Sequence, residues 1–293
     1  MKIVVYGAGA VGTWYGGHLK KAGADVIFVA RGKTYDRLKQ SPIELRSPQS
    51  TVLIDAPVTH TITNADLLII AAKTLGAVDL PDLSDPTTVV MTTQNSVEMP
   101  SIAIEKYGAN RVIPAVVRGF FTKVAPGITA HDGNIQSLTF GSIHSDTQNI
   151  VAELAALLAV TPIIPCVKDD ILADVWVKAM FVSPFGALGA VFNQPLGVLR
   201  TTYRDSLRAL IDEAATTARA HHINLPADIV DQTLTFADEQ DPASTTSMQR
   251  DILDGKSNEL DAQVGAIIRM ANRVAVPVPL HQLIVEILTA RQQ

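Results

Sequence analysis

Apolar and polar positions change their rhythm near the middle of the chain. In the first half, apolar runs of strand length alternate with amphipathic stretches of helix length. Ile3 to Tyr6 is a short apolar run, and a helical pattern follows from Ala10 to Gly23. Asp25 to Ala30 forms a second strand-like run, and Glu44 to Pro57 reads as short strands with Leu45, Val52, Leu53 and Ile54 apolar. Asp66 to Ala72 is continuously apolar, as expected of a strand buried on both faces, and Thr87 to Thr92 repeats that pattern. Pro100 to Tyr107 predicts a helix closed by Gly108, and Arg111 to Val117 the next strand. Between Thr122 and Phe140 the pairs Pro126-Gly127 and Asp132-Gly133 separate short β-like runs, which predicts hairpins. Val151 to Val160 has helical period, and from Lys168 nearly everything does: 168–191, 201–222, 226–239, 245–253, 257–275 and 279–291. The pattern therefore predicts an α/β plus all-α protein. A doubly wound, parallel sheet over residues 1–165 precedes an all-helical domain over 166–293.

The first turn gives that sheet a purpose. Gly7, Ala8, Gly9, Ala10, Val11 and Gly12 fall between a strand and a helix, the setting in which G-x-G-x-x-G binds a dinucleotide. Gly7 allows the tight turn, Gly9 leaves room for a pyrophosphate, and Gly12 lets the helix pack close to its strand. The phosphates would rest on free N–H groups at the positive end of the helix. A Rossmann-type cofactor domain follows, as against a glycine-rich turn in a flavodoxin-like sheet. The cofactor is expected along the strand ends, and the substrate between the two domains.

The end of the second strand bears on which dinucleotide is taken. About 20 residues past the glycines, an NAD-preferring site carries Asp or Glu for the ribose hydroxyls. Ala30 and Arg31 stand there instead, with Lys33 beyond. No carboxylate repels a 2′-phosphate, and Arg31 can fork onto one, so NADP(H) is expected over NAD(H). The plain alternative is a solvated loop arginine. Lys73, after the apolar run that ends at Ala72, and Asn95, after the next strand, fall at the carboxyl rim of the sheet. There they could face nicotinamide ribose or substrate, or could be ordinary loop residues.

Composition narrows the partners. The 293 residues are 47% hydrophobic, enough for two cores. The net charge of −5, with no basic block, argues against nucleic acid. The single cysteine, Cys166, excludes an internal disulfide framework and fits a reducing compartment, and it reads as a small buried hydrophobe. Met1 leads straight into a core strand, which leaves no room for a secretory signal and predicts a cytoplasmic protein. The most apolar stretch, Ala179 to Phe192, is interrupted by Ser183-Pro184 and glycines and reads as too short for a membrane span. The seven histidines are scattered, and no metal site is expected. The apolar helices of the second half offer a surface for a homodimer.

Two places in the second half carry further chemistry. Lys178 lies among Val175, Val177, Ala179, Met180 and Phe181. Such a lysine is either an exposed helix residue or a desolvated one, and desolvation would make it a usable proton donor. Ser247 could cap a helix, and Glu259 and Asp261 fall in the first turns of another, where the helix dipole favours carboxylates.

Taken in order, Gly7 to Gly12, Arg31, Ala72-Lys73, Gln94-Asn95, Trp176-Val177-Lys178, Ser247-Met248 and Asn258-Glu259-Leu260-Asp261 resemble the ketopantoate reductase (2-dehydropantoate 2-reductase) family over nearly the whole chain. That resemblance implies reduction of a 2-keto acid by NADPH. It implies that Arg31 holds the 2′-phosphate and that Lys73 and Asn95 lie near nicotinamide and substrate. Lys178 would then be the general acid, Glu259 the carboxylate that orders the site, and Ser247 a substrate contact. The chain departs from the pattern where the family places asparagines four and eight residues after its lysine: here stand Val182 and Gly186. Ser96 replaces a glycine, and Pro195-Leu196-Gly197 replaces Pro-Asn-Gly. A more apolar 2-keto acid is one consequence. Two other readings remain open: an opine- or imine-type dehydrogenase, and a non-catalytic NADP(H) sensor.

Overall fold

A computed structural model of the protein describes residues 1–75 and 80–292. Its chain divides into two compact units. Among the described residues, the first takes in 1–73, 80–94 and 99–171, and the second 74–75, 95–98 and 172–292.

The elements of the first unit are β1 (Lys2–Tyr6), α1 (Ala10–Lys21), β2 (Asp25–Val29), α2 (Gly32–Gln40), β3 (Ile43–Arg46), β4 (Thr51–Ile54), β5 (Val58–Thr59), β6 (Leu67–Ile70), β7 (Val89–Thr92), α3 (Met99–Tyr107), β8 (Val112–Ala125), β9 (Ile128–Phe140), α4 (Gln148–Ala159) and β10 (Ile164–Val167). They build one ten-stranded sheet in the order β4-β3-β9-β8-β7-β6-β1-β2-β5, with β10 also paired to β9. From β5 to β8 all pairs are parallel. The residues of β6 and β7 are buried throughout, as central parallel strands must be when both faces are covered. Strand order reverses at β1, which pairs with β2 on one side and β6 on the other. Such a reversal opens a crevice at the carboxyl ends of the strands. This is the Rossmann-type, doubly wound arrangement that the sequence pattern implies.

Beyond β8 the sheet becomes mixed. One long hairpin, β8 antiparallel to β9, replaces the several expected between 122 and 140. Pro126-Gly127 is its turn, with Gly127 at φ +72. Asp132-Gly133 is not a turn: Asp132 pairs with Phe120 while Gly119 pairs with Gln136, so residues 133–135 bulge out of β9. The other edge of β9 takes β3 near its start and β10 near its end. The β9–β10 pairing shifts the expected boundary: position 166 lies inside a strand of the first unit, which continues to Ile171. Cys166, on this edge strand, is half-buried rather than buried. The helix α2 does not show in the periodicity, because Leu38 is its sole buried side chain.

In the second unit, α5 (Ile171–Phe192) leads to α6 (Leu196–Leu199), α7 (Arg204–Ala220), α8 (Ile229–Glu239), α9 (Ser247–Leu253), α10 (Ala266–Arg273) and α11 (Pro279–Ala290). Here the helical period is realised, with Leu207, Leu210, Ile211, Ala214, Leu234, Ile267 and Leu288 in a common core. The helix α5 runs unbroken through Pro184. By length and composition it could cross a membrane, yet 67% of its apolar window is buried inside the protein, as in a core helix. The expected helix 257–275 starts later and differently. Asp261–Gly265 forms a π turn that feeds α10.

Candidate functional site

The glycine turn is shaped by close approaches. Gly7, at φ +106, sits in the left-handed region that favours glycine. A Cβ there would lie 2.5 Å from the backbone nitrogen of Ala72, so the β1–α1 turn rests directly on the chain leaving β6. A Cβ on Gly12 would come within 2.0 Å of the Gly7 carbonyl oxygen. Gly9, the N-cap of α1, differs: nothing lies within 4 Å of where its Cβ would be. The turn is tight behind and open in front.

The first hydrogen bond of α1 runs from the Thr13 N–H to the Gly9 carbonyl at 2.9 Å. The N–H groups of Ala10, Val11 and Gly12 precede it and have no partner within the helix. No acidic residue stands in the first turn. Ala8 is buried, while Gly9, Ala10 and Val11 are half-buried. A second tie holds the helix in place, the Thr13 and Thr129 hydroxyls meeting at 2.6 Å. The cradle thus fits a pyrophosphate: it combines open space, free N–H donors and the positive end of a helix dipole.

At the end of β2, Ala30 is buried and Arg31 is exposed at the N-cap of α2. The Arg31 guanidinium reaches the Tyr6 hydroxyl at 3.5 Å. Lys33 is exposed beside it, and the rings of Tyr35 and His60 stack at 3.6 Å. Lys73 is exposed at the carboxyl end of β6, directly after the Ala72 backbone that supports Gly7.

In the second unit the structure brings two sequence candidates together. Lys178, half-buried on α5, donates from its Nζ to Oδ1 of Asn95. The two are 83 positions apart, joined because residues 95–98 belong to the helical unit although β7 ends at Thr92. Val97 is buried in the helical core. Glu98 is 3% exposed and grips Arg269: Nε donates to both carboxylate oxygens, at 3.1 and 3.0 Å, and Nη2 donates to Oε1 at 2.6 Å. The Arg269 Nη1 donates to Oδ1 of Asp261 at 2.7 Å. Hydrogen bonds to Glu98, then to Asp261, hold Arg269 charged well above the ordinary arginine range.

The remaining candidates lie on α9 and just before the π turn. Glu259 is buried, at 8% exposure, and accepts from Gln263 Nε2 at 3.4 Å. Ser247 is exposed as the first residue of α9, and it is Thr246, not Ser247, that caps this helix by accepting from the Gln249 N–H at 3.1 Å. Where the family pattern has an asparagine, Gly186 has no room for a side chain. A Cβ there would lie 2.5 Å from Thr246 Oγ1 and 2.8 Å from Met248 Cε. Sequence reasoning missed Glu98 and Arg269. One signal was available, a lone carboxylate between Val97 and Met99.

Residues 3–145 match the family described as ketopantoate reductase PanE/ApbA, and residues 170–292 match its C-terminal counterpart. The 2-dehydropantoate 2-reductase of Caulobacter vibrioides is 27% identical, with 98% of each chain covered. That of Pyrococcus horikoshii is 26% identical over 100% of this chain and 98% of its own. Among solved structures, the 2-dehydropantoate 2-reductase of Methylococcus capsulatus superimposes with a TM-score of 0.89 at 23% identity, covering 100% of this chain and 98% of that one. A D-mandelate dehydrogenase in complex with NADH and anilino(oxo)acetate superimposes with a TM-score of 0.86 at 19% identity, with coverage of 100% and 98%. The two matched regions span both halves of the chain, which belongs to the ketopantoate reductase family.

Proposed function

We propose that this oxidoreductase reduces 2-dehydropantoate to pantoate, with NADPH as the reductant. When bound, the cofactor supplies hydride to the keto carbon, and negative charge then develops on the keto oxygen. The turn from Gly7 to Gly12 takes the pyrophosphate on the N–H groups of Ala10, Val11 and Gly12. Arg31, with no carboxylate beside it at the end of β2, pairs with the 2′-phosphate, which favours NADPH over NADH. Lys73, at the carboxyl end of β6, assists at the nicotinamide ribose.

The observation that carries the catalytic part is the bond between Lys178 and Asn95. The bond to Asn95 gives the Lys178 ammonium group a fixed aim. The ammonium stabilises the developing alkoxide and passes it a proton. Asn95 fixes the direction of the amine, Glu259 orders the neighbouring polar groups, and Ser247 offers a hydroxyl to the substrate. The test is loss of NADPH absorbance with a panel of 2-keto acids. Lys178→Ala should lower kcat by roughly 10²–10⁴-fold, with the affinity for NADPH retained. Unchanged turnover would refute the assignment.

One observation favours a second substrate class. Val182 and Gly186 leave this stretch of α5 without the amides of the family pattern, and Gly186 packs against the Thr246 hydroxyl and the Met248 methyl. A bulkier, apolar 2-keto acid such as phenylglyoxylate fits that change, and it belongs in the same panel. Addition of an amine to the assay separates an imine-forming reaction from simple keto reduction.

A further inference from the structure

The chain enters the helical unit at Asn95 and leaves it after Glu98. Two anchors hold this passage at its far end, the buried Val97 side chain and the fork between Glu98 and Arg269. At its near end stands Asn95, the partner of Lys178. Three residues of extended chain span at most about 10 Å. A clamp at Glu98 therefore leaves Asn95 little slack.

The fork is itself braced. Arg269 lies on α10, one turn beyond the π turn at Asp261–Gly265, and Asp261 takes its free Nη1 at 2.7 Å and, through its carbonyl, Nη2 at 3.1 Å. Gly265 makes this brace possible: a Cβ there would lie 2.7 Å from Asp261 Oδ1 and 3.1 Å from Arg269 Nη1. Single π turns inside helices recur at functional sites. Glu98 is buried while the Arg269 side chain is 40% exposed, and an ion pair of this half-buried kind adds little net stability; its better-attested use is to fix register. The register fixed here is that of residues 95–98.

We propose that Glu98 and Arg269 are positioning residues for catalysis: their braced fork sets the 95–98 segment so that Asn95 Oδ1 meets the Lys178 amine. This rests on the reading of Lys178 as the proton donor. Neither residue touches the reacting atoms. Each acts through Asn95, and displacement of a catalytic group by about 1 Å can cost on the order of 100-fold in rate.

The experiment is a mutant cycle on the full-length enzyme, with kcat from NADPH oxidation and the NADPH dissociation constant from fluorescence titration. Glu98→Gln and Arg269→Lys should each lower kcat by roughly 10–100-fold, with NADPH affinity unchanged. Asn95→Ala should lower kcat to a similar extent, and the double variant of Asn95→Ala with Glu98→Gln should be no slower than Asn95→Ala alone, because both changes break one linkage. If Glu98→Gln fails to fold, Asp261→Asn serves in its place. That side chain is 60% exposed, and its loss should slow kcat severalfold with the same non-additivity. Asp238→Asn, which breaks the exposed ion pair with Arg204, should leave kcat unchanged. Losses that add in the double variant, or a wild-type kcat in Glu98→Gln beside an impaired Lys178→Ala, would overturn the positioning role and leave the catalytic reading standing. Wild-type turnover of Lys178→Ala would remove the reading itself.

Discussion

One methyl group, added at Gly9 or at Gly12, separates the two duties of the glycine turn. At Gly9 the new Cβ meets nothing within 4 Å, and the backbone, at φ −84 and ψ −166, is open to alanine. The cost to the fold is that of a poorer N-cap, about 0.5–1 kcal/mol. The cost to the cofactor is larger. On the proposed binding mode, the methyl would occupy the space through which a pyrophosphate reaches the first N–H groups of α1. Loss of one charge-assisted hydrogen bond costs about 1.5–3 kcal/mol, which weakens NADPH binding by roughly 10–150-fold. Gly12→Ala acts on the fold. The Gly7 carbonyl, 2.0 Å from the new Cβ, would have to retreat by about 1.5 Å to reach van der Waals distance. Gly7 is itself packed against the Ala72 backbone, which leaves the turn little room to shift. Overpacking of this kind costs about 1–3 kcal/mol or more, which should lower Tm by several degrees in a domain of this size. Fluorescence titration with NADPH and thermal unfolding of both variants read the two effects separately. Full NADPH affinity in Gly9→Ala at unchanged Tm would refute the assigned phosphate position. A wild-type Tm in Gly12→Ala would refute the close packing of α1 on β1.

Two further outcomes follow from single side chains. Arg31→Ala should weaken NADPH by roughly 10–150-fold, the worth of one charge-assisted hydrogen bond, and leave NADH nearly unaffected; equal losses for both cofactors in parallel titrations would remove Arg31 from the 2′-phosphate. His18 is buried with both ring nitrogens unpartnered, and burial, then the charges of Lys21 and His131, push its pKa from 6.5 down to about 4. The unfolded chain then takes up this proton before the folded one does, so stability is lost as pH falls from about 6.5 through about 4, by about 3 kcal/mol in all. Urea unfolding of His18→Leu between those pH values should show a shallower loss than wild type, and an identical slope would contradict the assignment.

The parts of this fold that the sequence makes legible are those governed by local period. Strand β1, its glycines and α1 are contiguous, and β6 and β7 announce double burial by unbroken apolar runs. The helices of the second unit carry their apolar stripes openly. What local period cannot show is long-range pairing. Glu44 of β3 lies opposite Ile128 of β9, and nothing near either residue encodes the other. The bulge at residues 133–135 hides behind a dipeptide that elsewhere makes turns. The π turn is set by space around Gly265, which only the folded chain defines. The candidate site divides in the same way. The glycine turn and the position of Arg31 at the end of β2 are legible from spacing. The surroundings of Lys178 are not, since its partner comes from a segment that leaves the sheet and joins the helices.

One departure from the family pattern on α5, Gly186, has a structural cause that it shares with the neighbouring Gly189. Gly186 and Gly189 stand one helical turn apart, and each faces α9 at a distance that excludes a Cβ, Gly186 against Thr246 and Met248 and Gly189 against the amide of Gln249. Thr246 is committed to capping α9, and the Gln249 Nε2 donates to the Gln194 carbonyl at 2.9 Å, so neither partner yields space cheaply. An asparagine at 186 would have to displace this contact. The polar atom lost from α5 is thus replaced by packing, and α9 brings Met248 and the Thr246 side chain to the place an amide would fill. The contact combines a hydroxyl, Thr246 Oγ1, with the methyl of Met248, so the apolar 2-keto acid proposed above would be selected by shape as much as by polarity.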